Sequence, residues 1–580
     1  MASRKFRVAL AGAIVYLFHR YLFTAASLAQ LGLAWLVLTI APPLASGLYW
    51  SLIQPRFFSP YRHLPQPSSK PHWLFGHTRA IRSEMPGMGQ LAWMEEHRDA
   101  PWIRYFGFFG VERLLVTSHA AMLSILQTQA YDFVKPELAR EQLAQFIGDG
   151  LLTAEGDTHK RQRKLLAPAF AYSQIKNLTP TFVDKALELS SFIATLLDAK
   201  LASPEDPPAI PAKLVPKIPG AAAGKDDIIV SVDPLLSAAT LDAIFKAGFG
   251  LDTNSLIEDD HPIVKVYNDV LSMPGRLTLL DNLLIALIVL TNSPIKTAEV
   301  RKTLRGRDTI RKFAREQIRE KQQKVQIAKT FGKKITDADK DILALMVAEQ
   351  AEDKNSWTEK EITDNLLTFL AAGHETTSNA LIFSLHLLAQ HPDVQAHLRE
   401  EILEHFPEYG ILPAGSSHHT DPLRNVTYEK VESLKYLNNV MRECFRFVPP
   451  VSLSVRQATR NTVVDGLPVP KGTLIFIVPA AINKFSRYWG DDGSEFNPNR
   501  WDHLPTEANN PYSFLTFMQG TRMCIGRKFS EIEYKIMLIA LIGRFAFDER
   551  TKGEKFAFRV AVTTKYADGL ALRIKYAFPQ

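Results

Sequence analysis

The stretch at residues 514–526 limits what this chain can fold into more than any other part of the sequence. Phe517, Gly520, Arg522, Cys524 and Gly526 follow one another with the spacing F-x-x-G-x-R-x-C-x-G. Glycine lets backbone N–H groups come close to a neighbouring atom, and a thiolate is stabilised by such donors. A helix is predicted from position 528 onward, and its positive end would lower the pKa of the thiol. The pattern therefore predicts a stabilised thiolate at Cys524, whereas a lone cysteine is usually a small core residue.

This loop resembles, without a departure, the haem-binding signature of the cytochrome P-450 superfamily, in particular the haem-thiolate monooxygenases of the eukaryotic microsomal type. The resemblance implies haem b (iron protoporphyrin IX) with Cys524 as the axial iron ligand, which pushes electron density toward O–O cleavage. It implies that Arg522 contacts a haem propionate and that Phe517, Gly520 and Gly526 shape the haem-binding loop. It extends over about residues 65–576 and implies the cytochrome P-450 fold, mainly α-helical with small β-sheets.

The composition excludes several other classes of protein. With 46% hydrophobic and 22% charged residues, the 580-residue chain has the composition of a globular protein. Its two cysteines, Cys444 and Cys524, are too few for a disulfide scaffold or a four-cysteine metal site. The 16 histidines form no H-E-x-x-H pair, and a net charge of +7 does not by itself indicate nucleic-acid binding. We interpret Cys444 as a buried core residue.

A second motif places opposite charges on one helix face. Glu443 and Arg446 stand three residues apart, in the E-x-x-R pattern of the family. The resemblance implies that this pair is buried and joined by Arg500. Trp501 stands next to it, where phenylalanine is more usual. We assign these residues to the architecture around the haem loop and not to chemistry.

Further motifs supply candidate partners of the haem propionates. Arg456 follows a double proline in a segment that resembles the one passing over the haem edge, and residues 451–454 would line the substrate pocket. Arg163 and His159 lie in a segment that resembles the helix clamping a propionate. His159 stands where the family often has tryptophan, and a histidine can still donate through a ring N–H.

The clearest helix in the sequence begins at Thr358. Thr358 and Glu361 form a capping box, and apolar residues then recur three and four apart as far as Leu388. The sequence His391-Pro392 predicts its end. More than 30 residues at about 1.5 Å each make roughly 50 Å, enough to cross the whole domain.

This helix carries the sequence A-G-H-E-T-T at residues 372–377, which matches the family pattern A/G-G-x-E/D-T-T/S. Gly373 in mid-helix costs about 1 kcal/mol relative to alanine, and Thr376 can bond the carbonyl four residues back. Both features loosen the helix, and the resemblance implies that Gly373 leaves room for dioxygen. It further implies that Glu375 and Thr376 are the catalytic residues, which organise water and deliver protons. We interpret His374 as a spacer.

Strand signals are few, because most of the chain from about 93 to 445 has helical periodicity. The strands predicted from β-branched and aromatic runs are residues 114–117, 463–469 with a turn at Asp465-Gly466, 474–478, 558–561 and 571–576.

The N-terminal segment is predicted to anchor the protein in a membrane. Residues 21–54 contain no Asp, Glu, Lys or Arg, and residues 22–40 are apolar enough to cross a hydrocarbon core as a helix. Two shorter spans that include residues 8–18 and a cleaved signal peptide are the alternatives. Basic residues flank both sides of the span, so charge does not set its orientation.

The domain order follows from this. Residues 1–54 are the expected anchor, residues 55–71 a stiff proline-rich linker and residues 72–580 the haem-thiolate catalytic domain. A Pro/Ala-rich surface insertion is expected at about residues 199–226. The resemblance implies an endoplasmic reticulum membrane, with the catalytic domain in the cytosol.

The resemblance also implies the reaction and the partners. A monooxygenase of this family inserts one oxygen atom of O2 into a hydrophobic organic substrate, here in specialised metabolism, and Phe369, Val451 and Leu453 are candidate pocket residues. No segment is long enough for a fused flavin reductase and no G-x-G-x-x-G loop occurs. Electrons are therefore expected from NADPH through a separate flavoprotein, NADPH-cytochrome P-450 reductase, with cytochrome b5 as a second donor. A haem-thiolate isomerase or dehydratase and a non-catalytic haem protein are the alternatives, and neither needs Glu375 and Thr376.

Overall fold

Long helices dominate the computed structural model of this chain, as the sequence predicts. The residues that the structure describes are 37, 41–42, 45–46, 49–81, 85–203, 208–218, 220–257, 263–266, 298–331, 341–353, 356–411, 421–560 and 562–578.

The named α-helices of these ranges differ widely in length, from single turns to more than 30 residues. In chain order they are α1 (Thr78–Ile81), α2 (Met88–Glu96), α3 (His119–Leu123), α4 (Glu137–Ile147), α5 (Gly156–Leu166), α6 (Tyr172–Ala202), α7 (Val232–Phe249), α8 (Ala298–Thr330), α9 (Ile342–Glu352), α10 (Glu359–Gln390), α11 (Pro392–His405), α12 (Tyr428–Ser433), α13 (Lys435–Phe447), α14 (Pro479–Ile482), α15 (Ser486–Trp489) and α16 (Arg527–Arg544).

The strands within the described ranges are short and fall into four small sheets. They are β1 (Trp102–Phe106), β2 (Glu112–Val116), β3 (Phe133–Val134), β4 (Ile228–Ser231), β5 (Ser454–Ala458), β6 (Thr462–Val464), β7 (Leu467–Val469), β8 (Leu474–Ile477), β9 (Phe545–Glu549), β10 (Phe558–Val560), β11 (Thr564–Tyr566) and β12 (Ala571–Tyr576). The largest sheet has the order β1-β2-β8-β5-β3, in which β2 and β8 are parallel and the other pairs are antiparallel. A three-stranded sheet has the order β4-β12-β9, and β6–β7 and β10–β11 are separate hairpins.

The predicted start of the long helix is confirmed. The Thr358 hydroxyl accepts from the Glu361 N–H at 3.2 Å, and the Glu361 carboxylate accepts from the Thr358 N–H at 3.0 Å. The helix α10 ends at Gln390, directly before His391. Both ends lie where the capping residues and the proline predict them.

Strand β1 has no counterpart in the sequence prediction, and its burial gives the reason. Trp102, Ile103, Arg104 and Tyr105 are all buried, so the strand shows no alternation of apolar and polar residues. It pairs antiparallel with β2, from Trp102 opposite Val116 to Phe106 opposite Glu112. An arginine in the sequence does not indicate a buried strand. In the fold, the buried Arg104 side chain forms an ion pair with Glu112 on the neighbouring strand β2.

Among the residues that the structure describes, two apolar cores hold these layers together. The larger core contains buried residues of α6, α7, α10, α13 and α16, and the smaller one lies against the five-stranded sheet. Helix α10 packs along α7, and α6 packs along α16. A Cβ at Gly373 would lie 2.9 Å from the Ile244 side chain, so the glycine permits the close approach of α7 to α10.

No helix among the described residues is long and apolar enough to cross a membrane. Apart from Val37, the predicted span at residues 22–40 lies outside the described residues. In the region of the expected insertion, α6 ends at Ala202 and Leu214 is fully buried in the larger core.

Candidate active site

The loop that carries the cysteine signature is held by a close backbone contact. Gly520 has a φ of +72°, and a Cβ on it would lie 2.2 Å from the carbonyl oxygen of Leu126. Both the left-handed conformation and the contact with a backbone atom require glycine here. The Cys524 N–H donates to the Phe517 carbonyl at 2.9 Å, and Met518 also has a positive φ of 55°. The loop therefore returns tightly on itself just before α16.

Cys524 stands two residues before Gly526, the N-cap of α16, and its side chain is accessible. The surrounding protein raises the pKa of the Cys524 thiol, while the N–H of Gly526 and the charge of Arg163 act in the opposite direction. The Gly526 N–H and Arg163 favour the thiolate, but the protein atoms packed around the sulfur disfavour it more strongly, so the net direction is upward and not the lowering that the sequence predicts. A metal that bonds to the sulfur stabilises the thiolate directly. Cys444 is buried with a pKa raised to about 12 by burial, which confirms it as a core residue.

Aromatic and cationic side chains flank the loop. The ring of Phe517 meets the ring of Phe445 edge-on at 5.5 Å between centroids. The guanidinium of Arg527 lies 5.4 Å from the centroid of the same Phe517 ring. These contacts connect the cysteine loop to α13 and to the first turn of α16.

The four predicted propionate partners come together although they lie far apart in the sequence. Arg456 on β5 is 4% exposed, and burial and the charge of Arg522 lower its pKa to about 10. His159 on α5 is buried with its Nδ1 at 3.1 Å from the hydroxyl of Tyr131. Burial, together with neighbouring positive charges, lowers the pKa of His159 to about 3. Arg522 has the largest effect among these charges, and Arg163 is another of them. His159 is therefore neutral at physiological pH.

Two further residues of this cluster have no motif in the sequence. Lys135 follows β3, and burial together with Arg456 and Arg522 lowers its pKa to about 7. Glu155, directly before α5, accepts from Arg522 and lies 3.9 Å from the Lys135 ammonium. Neither residue type is unusual at its position, so only the folded chain reveals that they belong to the site.

The charge balance of this cluster fits a cofactor with two carboxylates. Four cations meet in this cluster, and each lowers the pKa of another cation or of His159; they are Arg163, Arg456, Arg522 and Lys135. Glu155 is the carboxylate that faces them. Buried charges of one sign are costly unless an opposite charge compensates them. A haem would supply two propionates here, together with an iron that can bond to the accessible Cys524 thiol. The residues present thus fit haem.

The predicted catalytic pair lies on α10. The hydroxyl of Thr376 donates to the carbonyl of Ala372 at 2.7 Å, the bond to the fourth residue back that the sequence predicts. The carboxylate of Glu375 forms an ion pair with Lys565 on β11, with 18% and 31% of the two side chains exposed. Motif reasoning did not identify this lysine. It connects the candidate proton donor to the β10–β11 hairpin.

His374 has more contacts than a spacer needs. It is buried, its Nε2 lies 2.7 Å from the Ser237 hydroxyl on α7, and its carbonyl accepts from Thr240 at 3.3 Å. Burial lowers the pKa of His374 to about 4. The interpretation of His374 as a spacer is therefore wrong, since it joins α10 to α7 beside Gly373.

The E-x-x-R motif forms a fully buried ionic cluster. The Glu443 carboxylate accepts from Arg446 at 2.7 and 2.8 Å and from the Arg500 Nε at 2.9 Å. It also accepts from the Asn497 N–H at 2.8 Å and from the indole N–H of Trp501 at 3.0 Å. The tryptophan that departs from the usual phenylalanine thus adds a donor to the cluster.

The candidate pocket residues differ in exposure. Leu453 is 37% exposed and Val451 is half-buried, while Phe369 is 7% exposed and meets the ring of Phe170 at 5.4 Å. The proline segment directly before Val451 is joined to the β10–β11 hairpin by a hydrogen bond. In it, the Thr564 N–H donates to the carbonyl of the second proline, Pro450, at 2.8 Å.

Comparison with known proteins agrees with this geometry. The family model described as Cytochrome P-450 matches residues 65–566. The chain is 33% identical to the cytochrome P-450 monooxygenase sphH of Aspergillus fumigatus, over 90% of each chain. It is 33% identical to the cytochrome P-450 monooxygenase FUM15 of Gibberella moniliformis, over 91% of each chain. It is 31% identical to the cytochrome P-450 monooxygenase ALT8 of Alternaria alternata, over 87% of each chain.

A mainly helical chain with an accessible cysteine in this loop and a buried E-x-x-R cluster has the fold and site of a haem-thiolate protein. The chain belongs to the cytochrome P-450 family, and it is a monooxygenase. Its family membership implies a haem iron, a redox partner and a hydrophobic substrate. The sequence prediction of the family and of the reaction class is confirmed, and these comparisons give no support to an isomerase or to a non-catalytic haem protein.

Proposed function

We propose that this protein is a membrane-anchored monooxygenase of specialised metabolism, which oxidises a hydrophobic substrate with electrons from NADPH delivered by a separate flavoprotein reductase. The observation that carries the proposal is the accessible Cys524 thiol beside a buried cluster of cations, with Glu375 and Thr376 on α10. The relatives that support it are all named as cytochrome P-450 monooxygenases.

The roles of the residues follow from their chemistry. When bound, haem activates dioxygen, so that one oxygen atom enters the substrate and the other leaves as water. Cys524 is the proposed iron ligand, and Arg163, Arg456 and Arg522 are the proposed partners of its propionates. These arginines keep their charge across the physiological pH range, so they can hold carboxylates throughout.

Proton delivery is assigned to α10. Glu375 can hold or release a proton at its carboxylate, and the Thr376 hydroxyl can pass it on by exchanging its bond to the Ala372 carbonyl for one to water. The ion pair with Lys565 holds the Glu375 carboxylate in position as long as the pair is intact. A change in the β10–β11 hairpin would therefore change the position of this carboxylate.

A spectroscopic experiment tests the ligand assignment. Cys524→Ser should abolish the red-shifted Soret band of the reduced carbon monoxide complex, because serine supplies no thiolate. Cys444→Ser is the matched control and should keep the band. Oxygenation is tested by incorporation of oxygen-18 gas into a product identified by mass spectrometry. Label that comes from water instead, or turnover without NADPH, would refute monooxygenation.

The proposed electron donor is NADPH-cytochrome P-450 reductase, with cytochrome b5 as a second donor, and the exposed face of α5 is its proposed docking surface. Lys160 and Lys164 are exposed on α5, where Lys160 forms an ion pair with the exposed Asp157 at 3.0 Å and Arg161 pairs with Glu361. Complementary charge mainly raises the rate of encounter and weakens with salt.

Charge reversal tests this docking surface. Lys160→Glu combined with Lys164→Glu should slow haem reduction at sub-saturating reductase and leave the haem spectrum unchanged. The wild-type rate should fall as ionic strength rises, whereas the rate of the variant should depend less on salt. Equal rates for both proteins at low salt would show that reductase docks elsewhere.

Membrane attachment is proposed from the sequence of residues 1–54, and the endoplasmic reticulum is the proposed membrane, with the catalytic domain on its cytosolic side. The uncharged stretch at residues 21–54 supports the attachment. Flotation of the full-length protein with vesicles after a high-salt wash tests it, since a span resists salt and a purely ionic contact does not.

A further inference from the structure

The side chain of His159 can bind in two different ways, because a neutral imidazole has two unlike ring nitrogens. One nitrogen carries the proton and donates, and the other can only accept. Burial, together with neighbouring positive charges, lowers the pKa of His159 to about 3, so the ring is neutral in the folded protein. The nitrogen that carries the proton therefore decides what this side chain can bind.

The two ring nitrogens of His159 have different surroundings. Nδ1 lies 3.1 Å from the hydroxyl of Tyr131. Nε2 forms no hydrogen bond with any residue that the structure describes, although His159 as a whole is only 2% exposed. Buried polar groups are normally hydrogen-bonded, so Nε2 is the nitrogen that a bound molecule has to satisfy.

Tyr131 is held in place by two cations that lie over its ring. It belongs to the 3-10 turn Ala130–Asp132, directly before β3. The guanidinium of Arg522 lies 5.5 Å from the centroid of the ring, and the ammonium of Lys160 lies 4.5 Å from it. Cations attract the face of an aromatic ring, so these contacts fix the hydroxyl beside His159.

The charge of the surrounding cluster decides the direction of the bond between Tyr131 and His159. The cations around His159 fit carboxylates, and an ionised carboxylate only accepts hydrogen bonds. A lone pair at Nε2 would repel such a group, whereas an N–H there would donate to it. Nδ1 is then the acceptor and the Tyr131 hydroxyl is the donor. Among the described residues this hydroxyl has no other hydrogen-bond partner.

We propose that Tyr131 is a positioning residue for the haem: its hydroxyl donates to Nδ1 of His159, keeps the proton of the neutral ring on Nε2 and directs that N–H to a propionate. This role rests on the proposed function, because it requires a bound haem. Tryptophan, which the family often has in place of His159, carries a single N–H and has no second tautomer. A histidine at this position therefore needs a partner residue that a tryptophan does not need.

Haem retention by the full-length haem-bound protein tests this role. Tyr131→Phe removes the hydroxyl and keeps the ring between its two cations. The rate of haem transfer to an excess of apomyoglobin is followed by absorbance. The propionate bending band of the resonance Raman spectrum reports the hydrogen bonds that the propionates accept. Tyr576→Phe is the matched control, since the hydroxyl of Tyr576 on β12 donates to Asp198 at 2.6 Å.

Substitutions at His159 separate an action through the imidazole from a direct contact of Tyr131 with the haem. His159→Phe removes the imidazole, and His159→Trp replaces it by a donor without tautomers. In either background the Tyr131 hydroxyl has no imidazole to orient. Tyr131→Phe is therefore combined with each of the two, and either background that retains haem is sufficient.

In the protein with His159, Tyr131→Phe should speed haem transfer about five-fold, the equivalent of one lost hydrogen bond, and should shift the propionate band. In the His159→Phe and His159→Trp backgrounds the same substitution should change neither, and Tyr576→Phe should transfer haem at the rate of the wild type.

An unchanged rate and band for Tyr131→Phe in the protein with His159 would overturn the proposed role. An equal effect of Tyr131→Phe in all backgrounds would overturn it as well, because Tyr131 would then act on the haem or on the fold directly. Both outcomes leave the proposed function standing. A wild-type protein that binds no haem would instead overturn the proposed function together with this role.

Discussion

The substitution Glu443→Gln is expected to destabilise the protein more strongly than any single exposed charge change. In the folded chain this carboxylate is fully buried and accepts from Arg446, Arg500, Trp501 and Asn497. Glutamine has nearly the same shape, but it removes the negative charge and replaces one acceptor oxygen by a donor NH2 group. Arg446 would then be buried without the carboxylate that compensates its charge, and Arg500 would keep its ion pair with Asp492 at 3.1 Å.

The magnitude follows from that imbalance. Removing one partner of a buried ion pair costs roughly 3–5 kcal/mol, because an unpaired charge is left in the interior. Arg446 loses its carboxylate partner and Arg500 loses one of two, so a loss within that range is expected. Native domains have unfolding free energies of about 5–15 kcal/mol, so a large part of the stability would be lost. Since the cluster adjoins the cysteine loop, weaker haem retention should accompany it.

Urea unfolding followed by far-ultraviolet circular dichroism measures the loss, and the Soret absorbance at each urea concentration reports haem retention. The matched control is Glu429→Gln, which breaks an ion pair with Lys176 in which 51% and 50% of the side chains are exposed. Its midpoint should stay close to that of the wild type, since exposed pairs contribute little. The reasoning is refuted if Glu443→Gln shifts the midpoint no more than Glu429→Gln does.

Three further substitutions have outcomes that the structure predicts. Burial lowers the pKa of His386 to about 4 from an ordinary 6.5. The unfolded chain therefore binds the proton more tightly than the folded chain, and the stabilisation by neutral His386 is complete only above pH 6.5. About 3 kcal/mol of the free energy of unfolding is lost as pH falls to 4. His386→Gln should reduce this loss of unfolding free energy, which urea titrations at neutral pH and near pH 4 measure. A loss as large as that of the wild type would count against a neutral buried His386. Thr376→Ala should uncouple turnover, so that NADPH and oxygen are consumed while hydrogen peroxide replaces product; unchanged product per NADPH would remove Thr376 from proton delivery. Lys565→Met should lower the yield of product per NADPH, because the Glu375 carboxylate loses the ion-pair partner that holds it in position, whereas Lys565→Arg should keep the yield; equal yields for both variants would show that the ion pair does not position Glu375.

Features whose partners lie close in the chain could be predicted from the sequence. The cap of α10 is one example, since Thr358 and Glu361 are one helical turn apart and their bonds form in the same segment. The hairpin β6–β7 is another, because Asp465 and Gly466 both adopt the positive φ that its turn needs. The cysteine signature belongs to this group as well, since its spacing limits the backbone within ten residues.

Only the tertiary structure decided which charges meet. Lys565 reaches Glu375 from a strand near the end of the chain, and Lys135 and Glu155 join Arg456 and Arg522 from different elements. Such pairs leave no local pattern, because each partner alone reads as an ordinary surface residue until folding removes both from water. Strand β1 could not be predicted either, because burial on both faces removes the alternation of apolar and polar residues by which a strand is recognised. The sequence by itself thus determined the family, the position of the cysteine that we propose as the iron ligand and the ends of the long helix, which depend on short-range spacing. The packing of distant segments determined the charge of the pocket and the partner of Glu375, because electrostatic energy depends on distance and burial in space and not on separation along the chain.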